Sequence, residues 1–205
     1  MSTLFSDNFN RADGAVGSNW SIVSGSWTVN TNQLRLSGAG TPDIIHTTTS
    51  AHAAVADCRA SVTRTYAGTD FNSGPVVRGS GTSGSYTCYY LDCADSFYGL
   101  YRRVANADTE LVTYAPTTAN LDVIGLQAVT VGATVELSMW LNGVQVGSTY
   151  VDNSGSRITA SGRCGILNWF NNITSYDDFL VETAASSGPS IPVISQSYYR
   201  RRRKP

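Results

Sequence analysis

The chain has 205 residues, of which 14% are charged, and its formal net charge is −1 at pH 7. This length allows one large all-β domain or two small ones and is enough to bury a substantial core. The five basic residues at 200–204 leave nine basic against fifteen acidic residues elsewhere, a net charge of −6. An acidic body with one basic end indicates a single tethering end and excludes a surface coated with nucleic-acid-binding charge.

Short alternating segments separated by Gly, Asn, Ser and Pro recur along the chain, and this pattern favours strands and turns over helices. No long amphipathic helix and no internal repeat is visible in the sequence. The predicted strands are 4–9, 20–23, 26–30, 33–37, 43–48, 52–63, 73–79, 84–93, 97–104, 109–114, 134–142, 144–151, 162–168 and 177–183.

The clearest predicted hairpin is VELSMWLNGVQVGSTYV. Its Asn142-Gly143 pair is typical of a type I′ turn, because both central positions of that turn need a positive φ. Alternation before the turn places Trp140 on the polar face of the strand, with Glu136 and Ser138. The residues predicted to enter the core are Val135, Leu137, Met139 and Leu141.

A dozen or more short strands separated by turn residues predict an all-β fold, a jelly-roll β-sandwich of two antiparallel sheets. We expect the sandwich domain to span 1–183. Residues 184–205 begin with the small, proline-containing AASSGPSIPVISQ, which predicts an extended C-terminal arm that ends in the basic cluster.

The N-terminal MSTLFSDNFNRADG lacks the basic and apolar regions of a signal peptide, and no stretch approaches the roughly 20 apolar residues of a membrane span. We therefore expect synthesis in the cytoplasm and no membrane contact.

The cysteines Cys58, Cys88, Cys93 and Cys164 are widely spaced and match no zinc motif. Their number allows two disulfides, but buried free thiols within strands are the favoured interpretation.

Two passages carry the motifs of a known family. FSDNFNRADGAVGSNWSIVSGSWTVNTNQLRLSG has a DNF…W lead-in and a G-x-W-x-V…N-x-L hairpin. VELSMWLNGVQVGSTYVDNSGSRITASGRCGILNWFNNITSYDDFLVE has an NG turn, a G-x-x-G-I strand and a final DDF-x-V strand. Over about 1–183 the chain thus resembles the concanavalin A-like lectin and glucanase sandwiches, the broad laminin-G-like group. The resemblance implies the fold; it implies little about function, because lectins, hydrolases, adhesion domains and viral modules share this sandwich.

A catalytic site of the laminarinase type would need a Glu-x-Asp-x-Glu strand, whose alternation places nucleophile and acid on one face. Glu110, Glu136 and Glu182 are far apart, and none is followed two residues later by an acid. No Gly-x-Ser-x-Gly, phosphate loop or His-x-x-x-His motif is present. The sequence therefore predicts a protein that is not an enzyme.

The resemblance also implies a possible structural Ca²⁺ where the first and last strands meet, held by backbone oxygens and an acid of the last strand. By position this acid would be Asp178 or Asp177, with Asp7 nearby. The alternative is that Asp7 caps a turn or pairs with Arg11.

Trp140 is a candidate glycan-binding residue, because an aromatic ring on a polar strand face is exposed unless something covers it. Tyr90 or Tyr101 would extend this surface, since aromatic rings stack on the C–H faces of sugars. The alternative is that a neighbouring loop packs on Trp140.

The C-terminal arm is the candidate partner-binding segment. Its apolar and aromatic residues could add a strand or fill pockets on a partner, and its arginines could pair with carboxylates. Alternatives are phosphate binding on a nucleic acid and a solvated tail. The candidate residues are Ile191, Val193, Ile194, Tyr198, Tyr199, Arg200, Arg201, Arg202, Arg203 and Lys204.

These features predict a non-enzymatic bacteriophage virion protein, such as a capsid-decorating or tail-associated module, made in the host cytoplasm. The sandwich would face outward with glycan-binding ability, and the arm would contact other virion proteins in preference to nucleic acid. We expect a homo-oligomer or a many-copy assembly. The alternatives are a carbohydrate-binding module or lectin of a cellular system and, behind it, a glycoside hydrolase with non-standard carboxylates.

Overall fold

The computed structural model describes residues 1–38, 42–65, 73–94, 96–169 and 174–184. These residues form fifteen strands, and none of them belongs to a helix that is long and apolar enough to cross a membrane. The strands are β1 (Thr3–Asp7), β2 (Trp20–Ile22), β3 (Ser26–Asn30), β4 (Gln33–Gly38), β5 (Asp43–Thr47), β6 (Cys58–Thr65), β7 (Ser73–Thr82), β8 (Ser85–Ala94), β9 (Phe97–Val104), β10 (Ala107–Tyr114), β11 (Val123–Val131), β12 (Thr134–Leu141), β13 (Val144–Asp152), β14 (Arg163–Asn168) and β15 (Ser175–Thr183).

The strands pair antiparallel in two sheets. Sheet I has the order β13-β12-β11-β6-β15-β4-β3, and β1 also pairs with β15. Sheet II has the order β10-β9-β8-β7-β14-β5-β2. The predicted all-β sandwich of two antiparallel sheets is therefore confirmed for the described residues.

The core lies between the sheets and is filled from both. Leu126 and Val62 from sheet I and Leu91, Leu100 and Ile166 from sheet II are completely buried in one apolar cluster. Full burial of such a side chain contributes about 1.5–3 kcal/mol, so this cluster dominates the stability of the sandwich.

The hairpin of β12 and β13 forms as the sequence predicts. Asn142 and Gly143 have φ values of 51° and 79° and join strands that pair Leu141 with Val144. Three of the predicted core residues of β12 are at most 1% exposed, and the fourth, Leu141, is partly buried against the core. Local alternation and turn chemistry were therefore sufficient to predict this hairpin and its core face.

Two strand predictions need correction. The strand expected over 52–63 begins only at Cys58; before it, Val55 makes a single bridge with Gly162. The strand β11, with the sequence VIGLQAVTV, was not predicted. A glycine at its third position weakens the strand pattern, but Ile124, Leu126 and Ala128 alternate into the core as a strand requires.

A buried polar network joins the sheets. Asp152, at the end of β13, accepts hydrogen bonds from Tyr89 of β8 at 2.7 Å and from Arg102 of β9 at 3.0 Å. Asp152 is 1% exposed. Burial alone would raise the pKa of this carboxyl, but the hydrogen bonds from Ser154, Tyr89 and Arg102 hold it below its ordinary value.

Sheet II also carries a second apolar cluster on the face away from the core, called here its outer face. Tyr89 and Val77 enter the core, so their neighbours Tyr90 and Val76, which pair across β8 and β7, lie on the outer face. The buried members of this cluster are Ile44, Val76, Tyr86, Cys88, Tyr90 and Leu167.

Candidate functional site

The outer face of sheet II carries a stacked pair of tyrosines. Tyr90 on β8 lies directly opposite Tyr101 on β9, with ring centroids 5.2 Å apart and an interplanar angle of 12°. Tyr90 is 1% exposed, whereas Tyr101 is only partly buried. The stack therefore presents one aromatic ring at the surface on a rigid support.

Two carboxylates lie beside this pair because of a tight hairpin between β9 and β10. Ala105 and Asn106 both have a positive φ, 49° and 68°, as a type I′ turn requires. The register places Asp108 and Glu110 on the outer face, with Glu110 opposite Tyr101. The Tyr101 hydroxyl donates to Glu110 Oε2 at 2.8 Å, which fixes the exposed ring.

Asp92 adds a third carboxylate from β8, two residues after Tyr90. Its Oδ1 atom is buried and receives no hydrogen bond from the described part of the chain. Burial, together with the charge of Asp108, raises the pKa of Asp92 from 3.8 to about 6. We call Tyr90, Asp92, Tyr101, Asp108 and Glu110 the tyrosine–carboxylate patch.

Arg103 lies next to this patch and is 4% exposed. Its Nη2 atom is 3.6 Å from Asp108 Oδ2, and its guanidinium carbon is 5.5 Å from the centroid of the Trp169 ring. Its Nε and Nη1 atoms are buried without an acceptor among the described residues. A pocket of about 430 Å³ adjoins Arg103; its lining residues are Ser24, Pro42, Asp43, Ile44, Ser83, Arg103 and Asn106.

Trp140 lies on the other side of the sandwich, on the outer face of sheet I. Its ring is half-buried, and the Arg59 guanidinium lies 5.4 Å from the ring centroid. Arg59 is held there by Glu182 at 2.6 Å. A small pocket of about 160 Å³ adjoins the ring. The side chain of Arg59, on β6 two strands away in sheet I, therefore covers part of Trp140.

The structure does not bring the three candidate aromatic residues together. Tyr90 and Tyr101 belong to sheet II, and Trp140 belongs to sheet I, so the two sets face opposite directions. Alternation within one strand identifies which residues share a face, but it does not show which sheet that strand joins. The grouping of Trp140 with the tyrosines therefore could not be tested from the sequence.

Sequence reasoning missed Asp92, Asp108 and Arg103 as members of a site. The segment YRRVANADTE carried one signal of this site, its Ala105-Asn106 turn. A tight turn at these two residues pairs Arg103 with Asp108 and Tyr101 with Glu110. We expected β10 to begin at 109, which left Asp108 outside the strand.

The candidate calcium residues lie at the rim where β1 meets β15. Asp7 Oδ1 accepts from Arg11 Nη1 at 2.9 Å and from the Phe9 amide at 2.8 Å; Oδ2 accepts from Arg11 Nη2 at 2.8 Å and from Trp20 Nε1 at 2.7 Å. Burial alone would raise the pKa of Asp7, but these hydrogen bonds lower it. Because both oxygens are engaged by donors, the Asp7 side chain does not fit the role of a metal ligand.

Asp177 and Asp178 lie beside Asp7 at this rim. Asp178 has a φ of 48° within an irregular stretch of β15 and lines a pocket of about 450 Å³ together with Asp7. Asp177 Oδ1 accepts the Asp178 amide at 2.8 Å. In the described ranges no three His, Cys, Asp or Glu side chains group as a metal site. A calcium ion here would depend on Asp177 or Asp178 and backbone oxygens, and it remains a prediction.

The partner-binding residues predicted in the arm, from Ile191 to Lys204, lie outside the described residues. The last described residues are Thr183, where β15 ends, and Ala184. The division into 1–183 and 184–205 therefore remains a prediction.

Neither a protein-family model nor a curated protein matches this sequence. Solved structures do match. The carbohydrate-binding module CBM66 from Bacillus subtilis matches with a TM-score of 0.62 and 15% identity, over 80% of this chain and 96% of that chain. A Bacillus subtilis protein of unknown function with a galectin-like fold matches with a TM-score of 0.64 and 10% identity, over 89% and 96% of the two chains.

A phage protein also matches. It is the CBM2 module of the evolved Dit of Lactobacillus casei BL23 phage J-1, with a TM-score of 0.51 and 7% identity, over 88% of this chain and 94% of that chain. The GH43 protein BlXynB from Bacillus licheniformis matches over only 39% of its own length. At these identities the likeness shows the fold alone, a β-sandwich shared with carbohydrate-binding modules and lectin-like proteins.

Proposed function

We propose that this chain is a carbohydrate-binding module of a bacteriophage virion that binds glycans through the tyrosine–carboxylate patch and does not hydrolyse them. One observation carries the site: the partly exposed Tyr101 ring is fixed by Tyr90 and Glu110, with charged groups placed beside it. The shared fold of carbohydrate-binding modules supports the class of ligand.

The chemistry of the patch suits a sugar. The exposed part of the Tyr101 ring would contact the C–H face of the sugar, while Glu110 and Asp108 accept hydrogen bonds from its hydroxyls. Because Tyr101 is already held in one orientation, little side-chain freedom is lost on binding. The pocket of about 430 Å³ beside Arg103 lies within the usual size range of small-ligand sites and would hold a further sugar unit.

The charges of the patch favour a neutral sugar over an acidic one. Asp92, Asp108 and Glu110 are three carboxylates, whereas Arg103 supplies one positive charge beside them. A uronic acid would bring a further negative charge to this face, and like charges at an interface disfavour binding. Neutral hexose or pentose polymers are therefore the expected ligands.

Two of these carboxylates, Glu110 and Asp108, are engaged in ways that suit binding. Glu110 accepts from Tyr101 at 2.8 Å, and Asp108 Oδ2 lies 3.6 Å from Arg103 Nη2. A glycoside hydrolase needs one carboxyl free to protonate the leaving group and a second free to act as nucleophile or base. We therefore assign Glu110 and Asp108 to ligand contact and positioning.

A glycan array tests the binding site. We expect the full-length protein to be retained on neutral glycans and Tyr101→Ala to abolish retention. Trp140→Ala is the matched control, since it removes an aromatic ring from the opposite side of the sandwich. Retention lost with Trp140→Ala and kept with Tyr101→Ala would move the site to sheet I. If the wild type hydrolyses a retained polysaccharide and Asp108→Asn does not, the patch is catalytic and the proposed binding role is wrong.

The virion role is supported by the phage module among the matching structures and by the charge distribution of the sequence. The acidic body and the basic cluster at 200–204 suit a domain that is displayed outward and attached by its end. Deletion of 185–205 removes no described strand, so we expect a folded protein that no longer joins particles. Unimpaired incorporation of this truncated protein into particles would refute the role of the arm.

A further inference from the structure

Two cysteines from opposite sheets meet in the core. Cys58 begins β6 in sheet I, and Cys164 lies on β14 in sheet II. Their Sγ atoms are 3.5 Å apart, and both residues are 0% exposed. A disulfide has a sulfur–sulfur distance of about 2.05 Å, so the two sulfurs need to approach by about 1.5 Å. Small side-chain rotations at the two residues would share this movement.

The other two cysteines are placed differently. Cys88 and Cys93 lie on the same strand, β8, five positions apart, which is about 16 Å along a strand. Cys88 belongs to the cluster on the outer face of sheet II, and Cys93 belongs to the core. They cannot pair with each other, so they serve as internal controls for the first pair.

We propose that Cys58 and Cys164 form a disulfide that joins sheet I to sheet II when the protein folds in, or is transferred to, an oxidising environment. Each thiol gives up its proton, and one sulfur–sulfur bond forms. The two electrons pass to a small-molecule disulfide such as oxidised glutathione, which is reduced to two thiols.

The folded core sets the route of this reaction. The hydrogen bond with Cys58, and then burial, raise the pKa of the Cys164 thiol well above its ordinary value, so the reactive thiolate is scarce in the native state. An oxidant also cannot reach a fully buried sulfur directly. The bond therefore forms while the sheets are closing during folding, or during openings that separate β6 from β14. We expect a low concentration of urea to accelerate oxidation of the native protein.

The bond would constrain the chain strongly, because it links positions 106 residues apart. In the chain-entropy model a loop of about 100 residues raises the ratio of folded to unfolded protein by about three-thousandfold. A crosslink of this kind would stabilise the sandwich after release from a reducing cytoplasm.

Refolding of the full-length protein tests the proposal. In a mixture of reduced and oxidised glutathione we expect a mass lower by two hydrogen atoms, a peptide pair joined through Cys58 and Cys164, and a higher urea midpoint than in reductant alone. Cys164→Ala should abolish all three changes, and Cys88→Ala should preserve them. If Cys164→Ala does not fold, Cys58→Ser provides the same comparison.

Four free thiols after oxidative refolding would overturn the proposal. So would a bond that maps to Cys88 or Cys93. A Cys58–Cys164 bond that lowers the urea midpoint would refute its stabilising role. None of these results depends on glycan binding, so the outcome is independent of the proposed function.

Discussion

Asp92→Asn should stabilise the protein at neutral pH. Asp92 is partly buried in the tyrosine–carboxylate patch, and its buried Oδ1 atom receives no hydrogen bond from the described residues. Burial and the charge of Asp108 raise its pKa from 3.8 to about 6. Between pH 3.8 and about 6 the Asp92 carboxyl is therefore mostly protonated in the folded state and mostly ionised in the unfolded state. The stability that this proton provides is complete below pH 3.8 and is lost as pH rises through about 6.

The magnitude follows from the same values. A difference of about two pH units corresponds to about 3 kcal/mol of unfolding free energy, which is an upper estimate because Asp108 adjusts when Asp92 changes. Asparagine keeps the shape of the side chain and carries no charge at any pH. We therefore expect Asp92→Asn to exceed the wild type in unfolding free energy by about 1–3 kcal/mol above about pH 7, and to match it below about pH 4.

Urea unfolding at a series of pH values measures this difference directly. The difference between the two proteins, and not the pH profile of either one, isolates Asp92 from the other titrating groups. A difference that does not change with pH, or an Asp92→Asn variant that is less stable at neutral pH, would refute the reasoning about this carboxyl.

Three further predictions concern other parts of the fold. Asp152→Asn should lower the unfolding free energy by about 3 kcal/mol at neutral pH, because it leaves buried Arg102 without its charged partner. This loss should shrink as pH falls below 3.8, because the stability that the lowered pKa of Asp152 provides is complete above pH 3.8 and is lost as the folded protein takes up the proton. An equal loss at every pH in urea titrations would contradict this account. Gly143→Ala should cost about 1 kcal/mol of unfolding free energy in thermal unfolding, since alanine is strained at a φ of 79°. Backbone strain is the whole cost, because no heavy atom lies within 4 Å of an added Cβ. An unchanged unfolding temperature would show that the turn relaxes. Calcium should raise the unfolding temperature, and Asp177→Asn or Asp178→Asn, but not Asp7→Asn, should remove that increase. No effect of calcium would refute this rim as a metal site.

The parts of the fold that the sequence predicted are those set by neighbouring residues. The Asn142-Gly143 hairpin and the core face of β12 depend on turn chemistry and alternation within a few positions. The strand β11 was missed because Gly125 interrupts its pattern, although its partners β6 and β12 define it clearly in three dimensions. Pairing between distant strands has no local signal.

The same limit applies to the candidate site. Tyr101 was identified as an aromatic candidate, but its relation to Tyr90 and Asp92 depends on the pairing of β8 with β9. Its separation from Trp140 depends on which sheet each strand joins. Side-chain type could be interpreted from the sequence, whereas proximity required the register of several strands.

Calorimetric titration of the best neutral glycan from the array into matched variants tests the central claim most directly. We predict that Tyr101→Ala raises the dissociation constant at least about tenfold, that is, by about 1.4 kcal/mol of lost binding free energy. Tyr101→Phe should retain most of the affinity because it keeps the ring, and Trp140→Ala should bind as the wild type does. Equal affinity of Tyr101→Ala and wild type would contradict glycan binding at the outer face of sheet II.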